Sequence, residues 1–369
     1  MFLEQLDITN FRNYDRLHLK LSKNINIFYG KNAQGKTNIL ESIYYLSLGK
    51  SYRIKDESQI VKYNKKTFKI EGTLNKDNYK SKYSIKYSNL NKKYYIDNNE
   101  YKRLYEYISH INVVTFTPED LEILKGIPDI RRRYIDNELS QLYNLYYRVS
   151  LEYKKILKMR NDLLKEANIG KQIDMNYFNI LTEYLIDKAV FIYRARFKYI
   201  KKLNEKIESI YKDIIKLDGF HINYKTQLKD EMFTNESIKA ELTSLFKNSF
   251  KLEKESGSTL YGPHRDDYEF YVENNNLKYY GSQGQQKLAI LTIKLAEILI
   301  FKSQTDNYPI LLLDDLFSEF DREKINNILN YVNNEMQVII TATDIKNVSK
   351  KIKDDAKIFC VKNGIVTER

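Results

Sequence analysis

The stretch Gly30–Lys31–Asn32–Ala33–Gln34–Gly35–Lys36–Thr37 has the spacing G-x-x-x-x-G-K-T. Residues of these types in this order can cradle a phosphate chain. Gly30 and Gly35 let the backbone curl so that several N–H groups point inward at phosphate oxygens. A helix starting at the end of the loop adds its dipole and its unpaired N–H groups. Lys36 would reach the β- and γ-phosphates of a bound ATP, and Thr37 would ligate Mg2+. The whole stretch from Gly30 to Thr37 is therefore the expected nucleotide-binding loop. Its flanks fit: Ile25–Tyr29 reads as a strand and Asn38–Leu46 as a helix.

Two further stretches could act on the same phosphates. Ile310–Leu313 reads as a buried strand ending in Asp314 and Asp315. A parallel strand delivers carboxylates at its carboxyl end. Asp314 would hold Mg2+ through water, and Asp315 would orient or deprotonate the attacking water. Ser282–Gln283–Gly284–Gln285–Gln286–Lys287 opens an apolar helix. The Ser282 hydroxyl, the Gly284 N–H and the helix dipole could close on a phosphate. The other reading is a plain N-capped helix with Ser282 as the cap. Lys36, Asp315, Ser282 and Gly284 are the candidate catalytic residues, and Thr37 and Asp314 the candidate metal ligands.

The elements that must position these groups follow from the apolar pattern. Short strands lead into the loop through Leu3, Leu6, Ile8, Leu17, Leu19 and Leu21. Strands at 68–70, 83–87 and 94–96 follow, with Asp97–Asn98–Asn99 as a hairpin turn. Residues 111–116 form another strand. From Arg131 one stripe runs from Leu139 to Leu164, with Gly170 as its C-terminal cap, and a second runs from Leu181 to Ile210. These predict two helices of about 30 residues, roughly 45 Å long, as an antiparallel arm, and the largely polar stretch 230–248 reads as a further helix plus linker. Strands return at 268–272, 310–313 and 338–340, and Asn363–Gly364 closes a terminal hairpin. The expected fold is α/β: a P-loop head split into 1–120 and 251–369, with a short antiparallel helical arm, 121–250, inserted.

Composition narrows the partners. The 369 residues carry 61 Lys+Arg against 49 Asp+Glu, a net charge of +12, which favours nucleic acid over a membrane. Cys360 is the only cysteine, so disulfides within the chain and Cys-rich zinc sites are excluded. It falls in the apolar run 358–361 and is expected to be buried. No run of about 18 apolar residues occurs, and the first residues lack the apolar stretch of a signal peptide. A cytoplasmic protein without a membrane partner is expected.

These motifs stand together with Asn10–Phe11–Arg12–Asn13–Tyr14, Gly49–Lys50–Ser51–Tyr52–Arg53, Thr117–Pro118–Glu119–Asp120–Leu121, Arg131–Arg132–Arg133–Tyr134–Ile135–Asp136 and Tyr261–Gly262–Pro263–His264–Arg265–Asp266–Asp267. In this order, over nearly the whole chain, they resemble the RecF family of bacterial DNA replication and repair ATPases, which are related to SMC-type and other ABC-type heads. The resemblance implies an ATP-dependent homodimer in which the Ser282 signature of one copy faces the γ-phosphate bound by the other. It implies weak ATP hydrolysis stimulated by DNA, and binding to single-stranded gaps and duplex junctions. It also implies work with RecR and RecO to load the RecA recombinase, and a role in the SOS response. Ser318–Glu319–Phe320–Asp321 occupies the dimer-contacting loop position.

The chain departs from the wider ABC pattern at three places. Asp315 stands where a catalytic Glu is usual, so slow hydrolysis is expected. Thr341–Ala342–Thr343–Asp344 stands where a switch histidine is usual, leaving phosphate sensing to Thr or Asp. Glu119 stands near the missing loop Gln and could partner Mg2+ through water. Arg12 could contact phosphate or be a surface arginine. His264 and Arg131–Arg133 read as structural, and Lys50 and Arg53 as candidate DNA contacts. A GTPase is disfavoured because Asn75–Lys76–Asp77 and Asn91–Lys92–Lys93 lie in turns. The ATP-binding subunit of a transporter would share the signature and is the alternative reading.

Overall fold

Leu3, Leu6 and Ile8 alternate along β1 (Phe2–Phe11) and are buried on one face. The computed structural model describes residues 1–54, 56–212, 219–229, 234–315, 335–345 and 350–369. The expected dimer-contacting loop at 318–321 lies outside them. β1 pairs antiparallel with β2 (Tyr14–Lys20) and β4 (Thr67–Lys76). β5 (Tyr79–Ser88), β6 (Asn91–Ile96) and β7 (Asn99–Tyr101) extend this sheet, in the order β2-β1-β4-β5-β6-β7. Asp97 and Asn98 both have positive φ (49° and 68°), the geometry of a tight hairpin turn.

A second sheet has the order β15-β14-β3-β13-β12-β8. Its strands are β3 (Ile25–Tyr29), β8 (Val113–Phe116), β12 (Ile310–Leu313), β13 (Val338–Ala342), β14 (Ala356–Lys362) and β15 (Ile365–Glu368). All neighbours are parallel except the β14–β15 hairpin. Every residue of β12 and β13 is buried, as a parallel sheet covered on both faces requires. Helix α1 (Lys36–Leu48) packs against β1, β4 and β5 of the first sheet and β8 and β13 of the second. That is why it is buried nearly all round, with Ile39, Leu40, Ile43, Tyr45, Leu46 and Leu48 at most 1% exposed. Cys360, expected to be buried, is only half-buried in β14.

The chain forms two compact units, one of residues 1–120 and 290–369, the other of 121–289. The first also contains the short helix α2 (Leu104–Tyr107). The second opens with α3 (Glu122–Lys125) and α4 (Pro128–Leu142). The single helix expected through Leu139–Leu164 is in fact two. Tyr143 is extended (φ −139°, ψ 105°), and its N–H ends α4 on the Leu139 carbonyl, 2.9 Å away. α5 (Asn144–Asn168) then carries the stripe on, to Gly170 at φ 82°. α6 (Met175–Ile210) follows, capped by Asp174.

The further helix read over 230–248 is α7 (Asn235–Ser256), which packs on both α5 and α6, so the two-helix arm is part of a three-helix layer. The expected boundary at 250 falls inside α7. Two devices hold the following segment to the arm. β9 (Phe220–Lys225) pairs with β10 (Asp267–Val272), which pairs with β11 (Asn275–Asn276). Arg160 of α5 binds Glu253 of α7 at 2.6 Å and Thr259 beyond it at 2.8 Å. α8 (Leu277–Tyr280) and the start of α9 (Gln283–Thr305) complete the unit. No helix among the described residues is long and apolar enough to cross a membrane.

The Arg160–Glu253 pair is 1% and 0% exposed, with the guanidinium also 4.6 Å from the Phe178 ring and 4.7 Å from that of Phe246. Arg160→Ala leaves a buried carboxylate without its cation. It should cost about 3–5 kcal/mol in urea unfolding. The double variant Arg160→Met/Glu253→Leu should recover most of the loss.

Candidate functional site

The loop after β3 adopts a conformation that its glycines alone permit. Gly30 has φ 157°, and a Cβ there would lie 2.2 Å from the Val361 carbonyl oxygen; Gly35 has φ 109°, and its Cβ would meet Asn13 Nδ2 at 2.4 Å. The loop is clamped from outside. Asn13 Nδ2 donates to the Gln34 carbonyl (3.2 Å) and the Tyr14 hydroxyl to the Gly35 carbonyl (3.1 Å). Asn363 N–H donates to Gln34 Oε1 at 2.6 Å, from the turn between β14 and β15. Lys36 is 7% exposed, and its Nζ donates to the carbonyls of Gly30 (2.6 Å) and Lys31 (2.9 Å). Burial lowers its pKa, opposed by Asp315 and Asp314. An ammonium held over the mouth of a glycine loop suits a phosphate.

The acidic half is joined to this loop through one oxygen. Thr37 Oγ1 donates to Asp314 Oδ1 at 3.0 Å, and Thr341 Oγ1 donates to the same oxygen at 2.5 Å. The Asp315 N–H donates to Thr341 Oγ1 at 3.0 Å, with Asp315 in the left-handed region at φ 49°. β13 lies between β3 and β12, which places Thr341 between the loop and the two aspartates. Burial raises the Asp314 pKa; the hydrogen bonds from Thr341 and Thr37 lower it, Glu119 raises it and Arg53 lowers it. Glu119 is exposed in the turn Pro118–Leu121 that follows β8.

Among the described residues no group of three or more His, Cys, Asp or Glu could hold a metal by itself. Mg2+ is usually held by one or two side chains together with phosphate and water. The Thr37–Asp314 pair beside a phosphate loop fits that pattern. Of the residues expected to replace the switch histidine, Thr341 is buried and bonded to Asp314, whereas Thr343 and Asp344 are exposed.

Arg12, expected to be either a phosphate contact or a surface arginine, is tied into the protein. Its Nε and Nη2 bind Glu41 Oε2 and Oε1 at 2.9 and 2.6 Å, and Glu41 is wholly buried on α1. Arg53 donates to Asn38 (3.0 Å) and Glu41 (3.3 Å), so this candidate DNA contact is tied to the loop's own helix. Beside it opens a cleft of about 660 Å3 lined by Arg12, Asn38, Arg53, Lys62 and Tyr63 among others. The Tyr63 ring is 86% exposed.

The Ser282 segment, in the other unit, is a capping box. Gln285 N–H donates to Ser282 Oγ at 3.2 Å, and Ser282 N–H donates to Gln285 Oε1 at 2.9 Å. The cap uses a lone pair of the hydroxyl, not its proton, so capping and anion binding are compatible. Residues 282–285 are exposed, and a Cβ on Gly284 would meet only Ser282 Oγ, at 3.9 Å. Tyr279 and Tyr280, just before them, are 73% and 76% exposed.

His264 is structural. Its Nδ1 lies 2.6 Å from the Tyr153 hydroxyl and its Nε2 lies 3.2 Å from the Thr259 carbonyl; burial depresses its pKa to about 4. The three arginines of α4 are also engaged within the unit: Arg131 with Asp267, Arg132 with the Asp266 carbonyl, Arg133 with Asp129. Sequence reasoning named Thr341 but not its bond to Asp314, and it missed the role of Glu41 and the two clamps on the loop. A threonine ending an apolar strand was the one local signal for any of them.

An α/β head that places a P-loop beside a buried Asp, with a signature-type helix start, is an ABC-type ATPase head. The RecF/RecN/SMC N-terminal domain family matches residues 2–367. Within that class the chain belongs to the RecF family. The DNA replication and repair protein RecF of Oceanobacillus iheyensis is 37% identical over 371 residues, 99% of this chain and 100% of that protein. The Staphylococcus aureus protein of the same name is 37% identical over 366 residues, 99% of each. A solved structure of the recombination mediator protein RecF with ATP in the RecFOR pathway superposes with a TM-score of 0.93, at 31% identity, over 100% of this chain and 97% of that one. Membership of this family disfavours the transporter-subunit alternative.

Thr341→Val should leave Asp314 Oδ1 and the Asp315 N–H each short of a partner. A loss of about 1–3 kcal/mol in chemical unfolding is expected. A variant as stable as the parent would show that the Thr341 link holds nothing.

Proposed function

We propose that this chain is an ATP-dependent DNA clamp of recombinational repair and replication restart, in which ATP joins two copies. The observation that carries this reading is the single line from the phosphate loop through Thr37 to Asp314 and Thr341. On it, the N–H groups of residues 30–37 hold the phosphates. Lys36 exchanges the Gly30 and Lys31 carbonyls for β- and γ-phosphate oxygens. Thr37 and Asp314 hold Mg2+, which when bound neutralises charge on those oxygens. Asp315 orients the attacking water. Its carboxylate is one methylene shorter than the usual Glu, so turnover is slow.

ATP then completes its site with a second copy. The exposed hydroxyl and N–H groups at Ser282 and Gly284 of one protomer meet the γ-phosphate held by the other. The exposed Tyr279–Tyr280 pair supports a face that is covered on assembly. The net charge of +12 and the named relatives support DNA as the polyanion, at single-stranded gaps and duplex junctions. By the same kinship the partners are RecR and RecO, the setting is the cytoplasm, and the process includes the SOS response.

Sedimentation with and without ATP, Mg2+ and gapped duplex tests this. Wild type should dimerise with ATP, hydrolyse it slowly and speed up with DNA. Lys36→Met should fail to bind nucleotide. Gly284→Asp adds an anion at a helix N-terminus with open space around it, so the protomer should be at least as stable as wild type. It should bind ATP and remain monomeric. Dimerisation of Gly284→Asp at the wild-type ATP concentration would refute the shared site.

A further inference from the structure

The loop after α1 is fixed at three points, and it presents a hydroxyl that no protein group uses. Ser51 Oγ donates to Glu41 at 2.5 Å and accepts the N–H groups of Arg53 (3.0 Å) and Ile54 (3.2 Å). Arg53 reaches Asn38 and Glu41. Between them the Tyr52 ring packs edge-on against Tyr44 of α1, with centroids 5.1 Å apart at 79°. Asn38, Glu41 and Tyr44, one turn apart along α1, therefore hold Ser51, Tyr52 and Arg53 in place.

The Tyr52 hydroxyl is buried and has no hydrogen-bond partner. Buried hydroxyls are normally paired, and an unpaired one is destabilising. Other buried phenols are also unpartnered, Tyr268 in the second unit among them. Tyr52 differs in its company. Burial raises its pKa, with Asp314, Glu41 and Glu119 acting in the same direction and Arg53 against them, so the phenol keeps its proton as a donor. Of the acceptors around it, the Glu41 oxygens and Asp314 Oδ1 are already engaged. Both Glu41 oxygens take bonds from Arg12, with Ser51 and Arg53 adding others, and Asp314 Oδ1 takes two hydroxyls. The missing acceptor is an anionic oxygen brought by a ligand.

We propose that Tyr52 is a positioning residue of the phosphate site, its hydroxyl held in reserve to donate to the terminal phosphate of ATP. This rests on the ATP-binding reading above. Tyr52 thereby distinguishes the triphosphate from the diphosphate at a point where the chain has no switch histidine. Its unpaired hydroxyl is a cost in the nucleotide-free protein that nucleotide binding removes.

The test is Tyr52→Phe in the full-length protein, which removes one oxygen and keeps the ring. Melting temperature and equilibrium binding are measured without nucleotide, with ADP–Mg2+ and with ATP–Mg2+. Without nucleotide the variant should be at least as stable as wild type. ATP–Mg2+ affinity should fall roughly tenfold, with a smaller ATP-induced melting shift, as for the loss of a hydrogen bond to a charged group. ADP–Mg2+ affinity should be unchanged. Equal ATP affinity in variant and wild type would overturn the proposal. So would an equal fall for ADP and ATP, which would move the contact off the terminal phosphate. A nucleotide-free variant clearly less stable than wild type would show that the hydroxyl already has a partner, and would overturn it too. If wild type itself gains no stability from ATP, the ATP-binding reading fails, an outcome separate from these.

Discussion

One carboxylate oxygen sets the register of the nucleotide site. Asp314 Oδ1 accepts from Thr37 at the start of α1 and from Thr341 at the end of β13. For both hydroxyls to reach it, β3, β13 and β12 must end together, so the parallel register across these strands is a requirement of the site. β12 and most of β13 are apolar because they are covered on both faces. Thr341 and the two aspartates lie at or near the carboxyl ends of these two strands, where chemistry is possible. A buried carboxylate is tolerated there because hydrogen bonds compensate for its lost hydration.

The same logic recurs one turn into α1. Glu41 is a buried anion compensated by Arg12, Arg53 and Ser51. It fastens the turn between β1 and β2 and the loop after α1 to the helix that carries Lys36 and Thr37. In the second unit, Arg160 with Glu253 and Arg196 with Asp136 and Asp266 play the corresponding part for the helices. Each is a buried charge satisfied by partners remote in sequence. Such pairs add specificity of arrangement more than net stability.

That distance in sequence explains what could and could not be read beforehand. The phosphate loop, the apolar strand ending in Asp314–Asp315, and the hairpin turns at Asp97–Asn98 and Asn363–Gly364 are local patterns, and they were legible. The bond from Thr341 to Asp314 was not, because it crosses a strand pairing that no local pattern declares. Arg12 was ambiguous for the same reason, since Glu41 reads as one more residue of an amphipathic run. The break at Tyr143 was hidden by an apolar stripe that continues through it. The boundary at 250 was misplaced because Arg160 and β9 bind residues well beyond it. The Ser282 start was legible both as a cap and as an anion site, and the geometry accommodates both.

The central claim is that each ATP is held by the loop of one copy and the Ser282 turn of another. Mixing two inactive variants tests it most directly. Lys36→Met lacks a working loop but keeps its signature; Ser282→Arg keeps the loop and lacks the signature. A mixed dimer has one complete site. The account requires ATP-dependent dimers and partial turnover in the mixture when neither variant alone gives them. If the mixture stays as inactive as its components although Ser282→Arg alone still binds ATP, the shared-site account is wrong.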